Sequence, residues 1–178
     1  MENFTEVQGR FFALNSFFRS YYSFEALGEI CNDYDSVYQS LNPFTHIHNV
    51  LLCDAVISWC KVFGSNKEEC HWKNLISDHQ AFRDRLFSEL NITQKEFAAY
   101  QSKGLDFRNK WVVHYEPSYK HDVVPHFDLM LKSAVILHTF LRENVSNEFI
   151  YNGPVSIEGF GRSVGVAIMD SLKPIDQT

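Results

Sequence analysis

Little in this chain alternates. Stretches in which apolar and polar residues trade places at every second position, the mark of a half-buried strand, are almost missing, which sets aside sandwiches and barrels. Apolar runs are short as well. LLCDAVISWCKVF and LMLKSAVILHTFL are each broken by charge, and neither nears the ~18 uninterrupted apolar residues of a membrane span. The opening MENFTEVQGR lacks the basic segment and apolar segment of a secretory signal. Cysteine is sparse: Cys31, Cys53, Cys60 and Cys70 are scattered, with no CxxC pair. Reduced thiols in a cytoplasmic protein are therefore expected, not a disulfide framework.

Positive charge is also scarce. Lys and Arg number 16 against 22 Asp and Glu, a formal net charge of -6 and a pI near 5.7. A broad basic surface for duplex DNA is excluded, because nonspecific affinity comes mainly from Lys and Arg neutralising phosphates. A local pocket for one phosphodiester is not excluded, since one or two positive groups suffice. No P-loop, GxGxxG or Ser-His-Asp grouping can be read, and Gly159, Gly161 and Gly165 have the wrong spacing for a dinucleotide loop.

Aromatic residues, by contrast, are plentiful. They make up 15% of the 178 residues, with 16 Phe, and hydrophobic residues reach 45%. A chain of this length buries about 70% of its unfolded surface and fits one domain over residues 1–178. Charged residues at 21% and a mean hydropathy of -0.23 are those of a globule, not a disordered chain.

The apolar period is helical. Phe4, Val7, Phe11, Leu14, Phe18 and Tyr21 recur three to four apart and predict a helix over 4–22. Leu27, Ile30, Tyr34, Val37 and Leu41 predict a second over 24–41, closed by Asn42-Pro43. A third is predicted over 45–63, stopped at Gly64. Asp78 or Ser77 caps a helix through Leu90, and Thr93 with Glu96 has the spacing of a capping box. That next helix runs on through Leu105, with Gly104 a candidate kink, to Tyr115–Ser118. Pro125 is expected to open a helix through Glu143. Residues 146–160 read as less regular, with FIYNGPVSI a short strand or loop, before a last helix over 161–172. The expectation is an all-α, single-domain helical bundle. Phe11, Phe12, Phe17 and Phe18 belong to its core or to a buried subunit interface.

One stretch, DFRNKWVVHYE over 106–116, sets Arg108, Asn109 and His114 around an apolar Trp-Val-Val run. RNA is cleavable without metal when a base activates the ribose 2′-hydroxyl and a cation steadies the charge building on phosphorus. An imidazole, with an unperturbed pKa of about 6.5, suits the proton transfer. A guanidinium matches phosphate oxygens and stays charged. Asn109 has the hydrogen-bonding capacity to orient either group. On an ideal α-helix, six steps of about 100° leave Arg108 and His114 roughly 120° apart, so a loosened turn or a second subunit is needed to bring them together. The bland alternative is a helix end with surface polar groups.

Other candidates are weaker. Cys60, Cys70, His71 and His79 lack the tight pair of a structural zinc site, and no metal or cofactor is expected. Trp59 and Phe63 read as core and Trp72 as a loop anchor, with His71 or Lys73 lining a cleft near the Arg/His stretch as a further reading. His46 and His48 point apart on a helix, and His138 reads as a core or interface histidine. His121 and His126 flank the helix start after the motif.

The Arg108-Asn109-x4-His114 pattern resembles the signature of the HEPN superfamily, and most of all its members related to abortive-infection systems. The motif spans seven residues, and the order of helices around it covers most of the chain. The resemblance implies a dimeric helical bundle with two Arg/His motifs facing each other across a cleft. It implies metal-independent endoribonuclease action of the toxin or antiphage type, on single-stranded RNA, restrained by an antitoxin or regulatory protein. Arg108 then binds the scissile phosphate, Asn109 supports it and His114 transfers the proton. Lys110, Tyr115, His71 and Lys73 become substrate contacts. Some members of the superfamily are noncatalytic scaffolds, which is the alternative here. In toxins paired with a nucleotidyltransferase antitoxin, a Tyr two places after the His is modified; this chain has Glu116 there.

Overall fold

Helices account for every regular element in the computed structural model, which describes residues 4–32, 43–114, 116, 124–144 and 153–172. They run in the order α1 (Phe4–Asn32), α2 (Pro43–Phe63), α3 (Trp72–Leu75), α4 (His79–Leu90), α5 (Gln94–Phe107), α6 (Phe127–Asn144) and α7 (Ile157–Leu172), with a π-helical turn over Arg108–Val113 between α5 and α6. α1 packs along both α2 and α7, α4 lies on α6, and α5 with the π-turn rests on α2. No strand occurs among the described residues, and the part of FIYNGPVSI before Gly153 lies outside them. No described helix is long and apolar enough to cross a membrane.

The core is aromatic. Phe11, Phe17, Phe18, Trp59, Phe63 and Phe82 are fully buried and belong to one cluster with Leu86, Met130 and Leu137. Trp59 stacks on Phe63 with ring centroids 5.2 Å apart, and its indole N–H donates to the buried Ser133 hydroxyl at 3.0 Å. An aromatic ring with a polar edge is buried cheaply when that edge finds a partner. Phe12 is not part of the core: it is 68% exposed, one helical step away from the face that Phe11 buries.

Several predicted boundaries hold. Asp78 caps α4, its carboxylate accepting from the Ala81 N–H at 3.0 Å. Thr93 and Glu96 form the full capping box: Glu96 accepts from the Thr93 N–H at 2.7 Å, and the Thr93 hydroxyl accepts from the Glu96 N–H at 3.2 Å. Others shift for physical reasons. The two helices expected over 4–22 and 24–41 are continuous from Phe4 to Asn32, because no breaker stands at the junction; residues beyond Asn32 on that stretch lie outside the described set. Gly161 and Gly165 of α7 pack against Tyr22, and Gly165 also against Ala26, on either side of the junction. Pro43 starts α2, a position where its missing N–H costs nothing; the helix end expected just before it lies outside the described residues. Pro125 is buried two residues ahead of α6. α7 begins four residues early, at Ile157, where the Ser156 hydroxyl accepts from the Gly159 N–H at 3.0 Å.

The glycines work by closeness. Gly64 has no positive φ; a Cβ there would collide with the Cys60 carbonyl and approach Leu105 Cδ2 at 3.0 Å. Gly104 does not break α5. It brings that helix onto the core, where a Cβ would lie 3.3 Å from both Trp59 and Met130. The left-handed conformation appears at Asn91 instead, which ends α4 with φ 53° and ψ 45°, a region Asn tolerates better than most residues.

Candidate active site

α5 stops being an α-helix one residue before Arg108. From Arg108 to Val113 the backbone follows a π-turn, a geometry that occurs mostly as single turns and frequently at functional sites. The apolar residues of the segment anchor it: Trp111 and Val112 are half-buried against the core cluster. The polar residues vary in exposure. Asn109 and His114 are exposed, and the Arg108 side chain is 20% exposed.

Asn109 ties the stretch together. Its side-chain carbonyl accepts from Arg108 Nε at 3.0 Å, and its main-chain carbonyl accepts from the His114 N–H at 3.1 Å. That second bond spans five residues. On an α-helix five steps would put Asn109 and His114 about 140° apart; the wider turn sets the His114 N–H directly over the Asn109 carbonyl. His114 itself has left the helix, with φ -123° and ψ 122°, and the Glu116 N–H closes the segment on the Lys110 carbonyl at 3.0 Å.

Charge near the turn is mixed. The Arg108 guanidinium faces Glu68 across 4.0 Å, while Lys110 pairs with Asp106 at 3.3 Å. Beneath them, burial pushes the Cys60 thiol up to about 12, partly offset by Arg108 and reinforced by Glu68. It is an inert core thiol and not a nucleophile. Sequence reading missed Glu68, since a carboxylate in the polar 65–69 loop gives no periodic signal of where it lands.

The remaining candidates separate. Tyr115 and His121 lie outside the described residues. His71 and Lys73 line a cavity of about 150 Å³ between the 66–73 segment, α4 and α5, a cavity whose walls include none of Arg108, Asn109 and His114. His71 is buried and caps α3, its Nδ1 accepting from the Lys73 N–H at 3.3 Å. Burial, with Lys73 and His79 nearby, lowers its pKa to about 4. It is neutral near pH 7, and an accepting Nδ1 leaves the proton on Nε2. His138 is a core histidine, edge-on to Phe11 at 5.6 Å, its pKa lowered to about 4 by burial and by Arg142. His46 is exposed, and His48 stacks on Phe24 at 4.1 Å. All four cysteines are free thiols. Among the described residues no cluster of three or more His, Cys, Asp or Glu is placed to hold a metal ion.

No protein-family model, curated protein or solved structure matches this chain.

Proposed function

We propose that this chain is a metal-independent endoribonuclease of the HEPN type, acting as a toxin or antiphage effector on single-stranded RNA. The observation that carries the reading is the double role of Asn109, whose side chain accepts from the Arg108 guanidinium and whose main-chain carbonyl accepts from the His114 N–H, at the two ends of one π-turn. In this reading Arg108 binds the scissile phosphate and steadies the charge on its oxygens. His114 takes the 2′-hydroxyl proton or gives one to the leaving 5′-oxygen. Asn109 fixes the Arg108 fork, and Lys110 and Tyr115 contact flanking nucleotides. A homodimer places two such turns in one cleft, so that each copy completes the other's site, and an antitoxin or regulatory protein restrains the pair.

The arrangement asks nothing of a metal. Attack by the 2′-oxygen on phosphorus breaks the bond to the 5′-oxygen and leaves a 2′,3′-cyclic phosphate. Incubating the purified protein with RNA in EDTA tests this. Cleavage leaving cyclic phosphate ends is expected from the natural sequence, and loss of at least 100-fold from His114→Ala, within the range for a general acid or base. Intact RNA after incubation over a range of pH and salt would refute it.

One observation favours a second reading, a noncatalytic helical scaffold. Glu68 faces the Arg108 guanidinium in a chain of net charge -6, and such a carboxylate competes with a phosphate. In a scaffold, that pair serves stability alone.

A further inference from the structure

The cavity beside α3 gathers cationic side chains in a chain that is acidic as a whole. Its walls hold Lys73, Arg83 and His71 with the amides of Asn66 and Gln94, and they include no Asp or Glu. The two cations converge on one aromatic ring: Lys73 Nζ lies 5.7 Å and the Arg83 guanidinium carbon 5.5 Å from the Trp72 ring centroid. Trp72 is itself clamped, buried between His79 and Phe82 with centroids at 5.6 and 5.0 Å. Stacking over a ring face attracts a cation to the ring, and it positions the charge without neutralising it. Among the described residues neither Lys73 nor Arg83 pairs with a carboxylate, although the chain carries 22 Asp and Glu.

We infer that this cavity binds a terminal phosphate group, at a site separate from the Arg108–His114 turn. Two half-buried cations in the wall of one cavity that holds no carboxylate favour an anion in that space. The space, about 150 Å³, is well above the ~10–15 Å³ that a single water needs. That admits a phosphate group with a little water, while a sugar and base would have to lie outside. A dianionic monoester matches two cations better than a backbone diester does. Arg83 offers a planar fork, Lys73 a point charge, and the side chains of Asn66 and Gln94, which bond to nothing else among the described residues, offer amide donors. His71 Nε2–H is a further donor on a ring in the wall. Whether the π-turn cleaves RNA has no bearing on this site. The monoester has two sources, a free 5′-mononucleotide or the phosphorylated 5′ end of a strand.

Calorimetric titration at constant ionic strength tests the site, with inorganic phosphate, 5′-AMP, and a short DNA strand with or without a 5′-phosphate. Saturable one-to-one binding of phosphate and of 5′-AMP is expected. Arg83→Gln and Lys73→Gln should each weaken it at least tenfold, with thermal melting by circular dichroism showing each variant folded. Lys95→Gln, at an exposed lysine on α5 outside the cavity, should bind as the natural sequence does. Preference for the phosphorylated strand over 5′-AMP identifies a strand end as the source; the opposite preference identifies a free nucleotide. The inference is overturned if neither phosphate nor 5′-AMP saturates, if Arg83→Gln and Lys73→Gln bind unchanged, or if Lys95→Gln weakens binding as much as they do.

Discussion

Glu68 is the residue on which the chemistry of the π-turn is most finely balanced. It sits 4.0 Å from the Arg108 guanidinium, and its own carbonyl accepts from the His71 N–H at 3.0 Å and from the Asn74 amide at 2.9 Å. An exposed pair of this kind is worth about 0–1 kcal/mol. Glu68→Gln is therefore expected to cost little stability and, by freeing Arg108 for phosphate, to lower KM for RNA by up to about fivefold. A melting temperature that falls with no change in KM would favour the scaffold reading. The buried histidines make a second prediction. His71 and His138 each have a folded pKa lowered to about 4 against about 6.5 unfolded. Their neutral forms favour the fold, fully above pH 6.5. As pH falls from 6.5 to 4 the unfolded chain takes up protons that the folded one refuses, so stability drops, by about 1–3 kcal/mol per histidine. Urea unfolding at pH 7.5 and pH 4.5 should show that loss, reduced in a His138→Gln variant; a flat profile would contradict it.

The elements show why some of this fold was legible in sequence and some was not. Caps were legible because their chemistry is local: Asp78 serves an N–H three residues on, and Thr93 trades bonds with Glu96. Thr93→Ala should accordingly cost about 1 kcal/mol in denaturant unfolding. The continuity of α1 was not legible, because what supports its middle lies more than a hundred residues away. A Cβ at Gly161 would run into the Tyr22 ring and the Phe18 carbonyl. Gly161→Ala is expected to destabilise by about 1–3 kcal/mol through overpacking, while Val166→Ala, at a position 60% exposed on the same helix, should stay within about 0.5 kcal/mol. The two changes falling equally would remove the α1–α7 contact from the account. At the candidate site, the residue types Arg108, Asn109 and His114 were legible, but their geometry was not. Regular helical phase separates them, and nothing in RNKWVV announces an i→i+5 turn. Arg83 was invisible for a related reason: it shares a cavity wall with Lys73 only because α3 and α4 fold about Trp72.

The molecule as a whole is an acidic helical bundle, of net charge -6, in which the π-turn and the Trp72 cavity each hold two cationic side chains. Such a layout suits focal contact with phosphate and not a broad hold on a duplex, so cleavage should fall only shallowly with salt, by fewer than about two charges in a log–log plot. The proposed dimer carries its own consequence. If Arg108 of one copy and His114 of the other serve one phosphate, mixing Arg108→Ala with His114→Ala protein restores cleavage that neither variant has alone.

The measurement that bears most directly on the whole account is kcat/KM for RNA cleavage in EDTA by the natural sequence, Arg108→Ala, His114→Ala and the double variant. Two groups acting on one phosphorus are strongly non-additive. Each single change is expected to cost at least 100-fold, and the double variant little more than the worse of the two. Cleavage by His114→Ala at the rate of the natural sequence, or losses that multiply in the double variant as for independent sites, would contradict it.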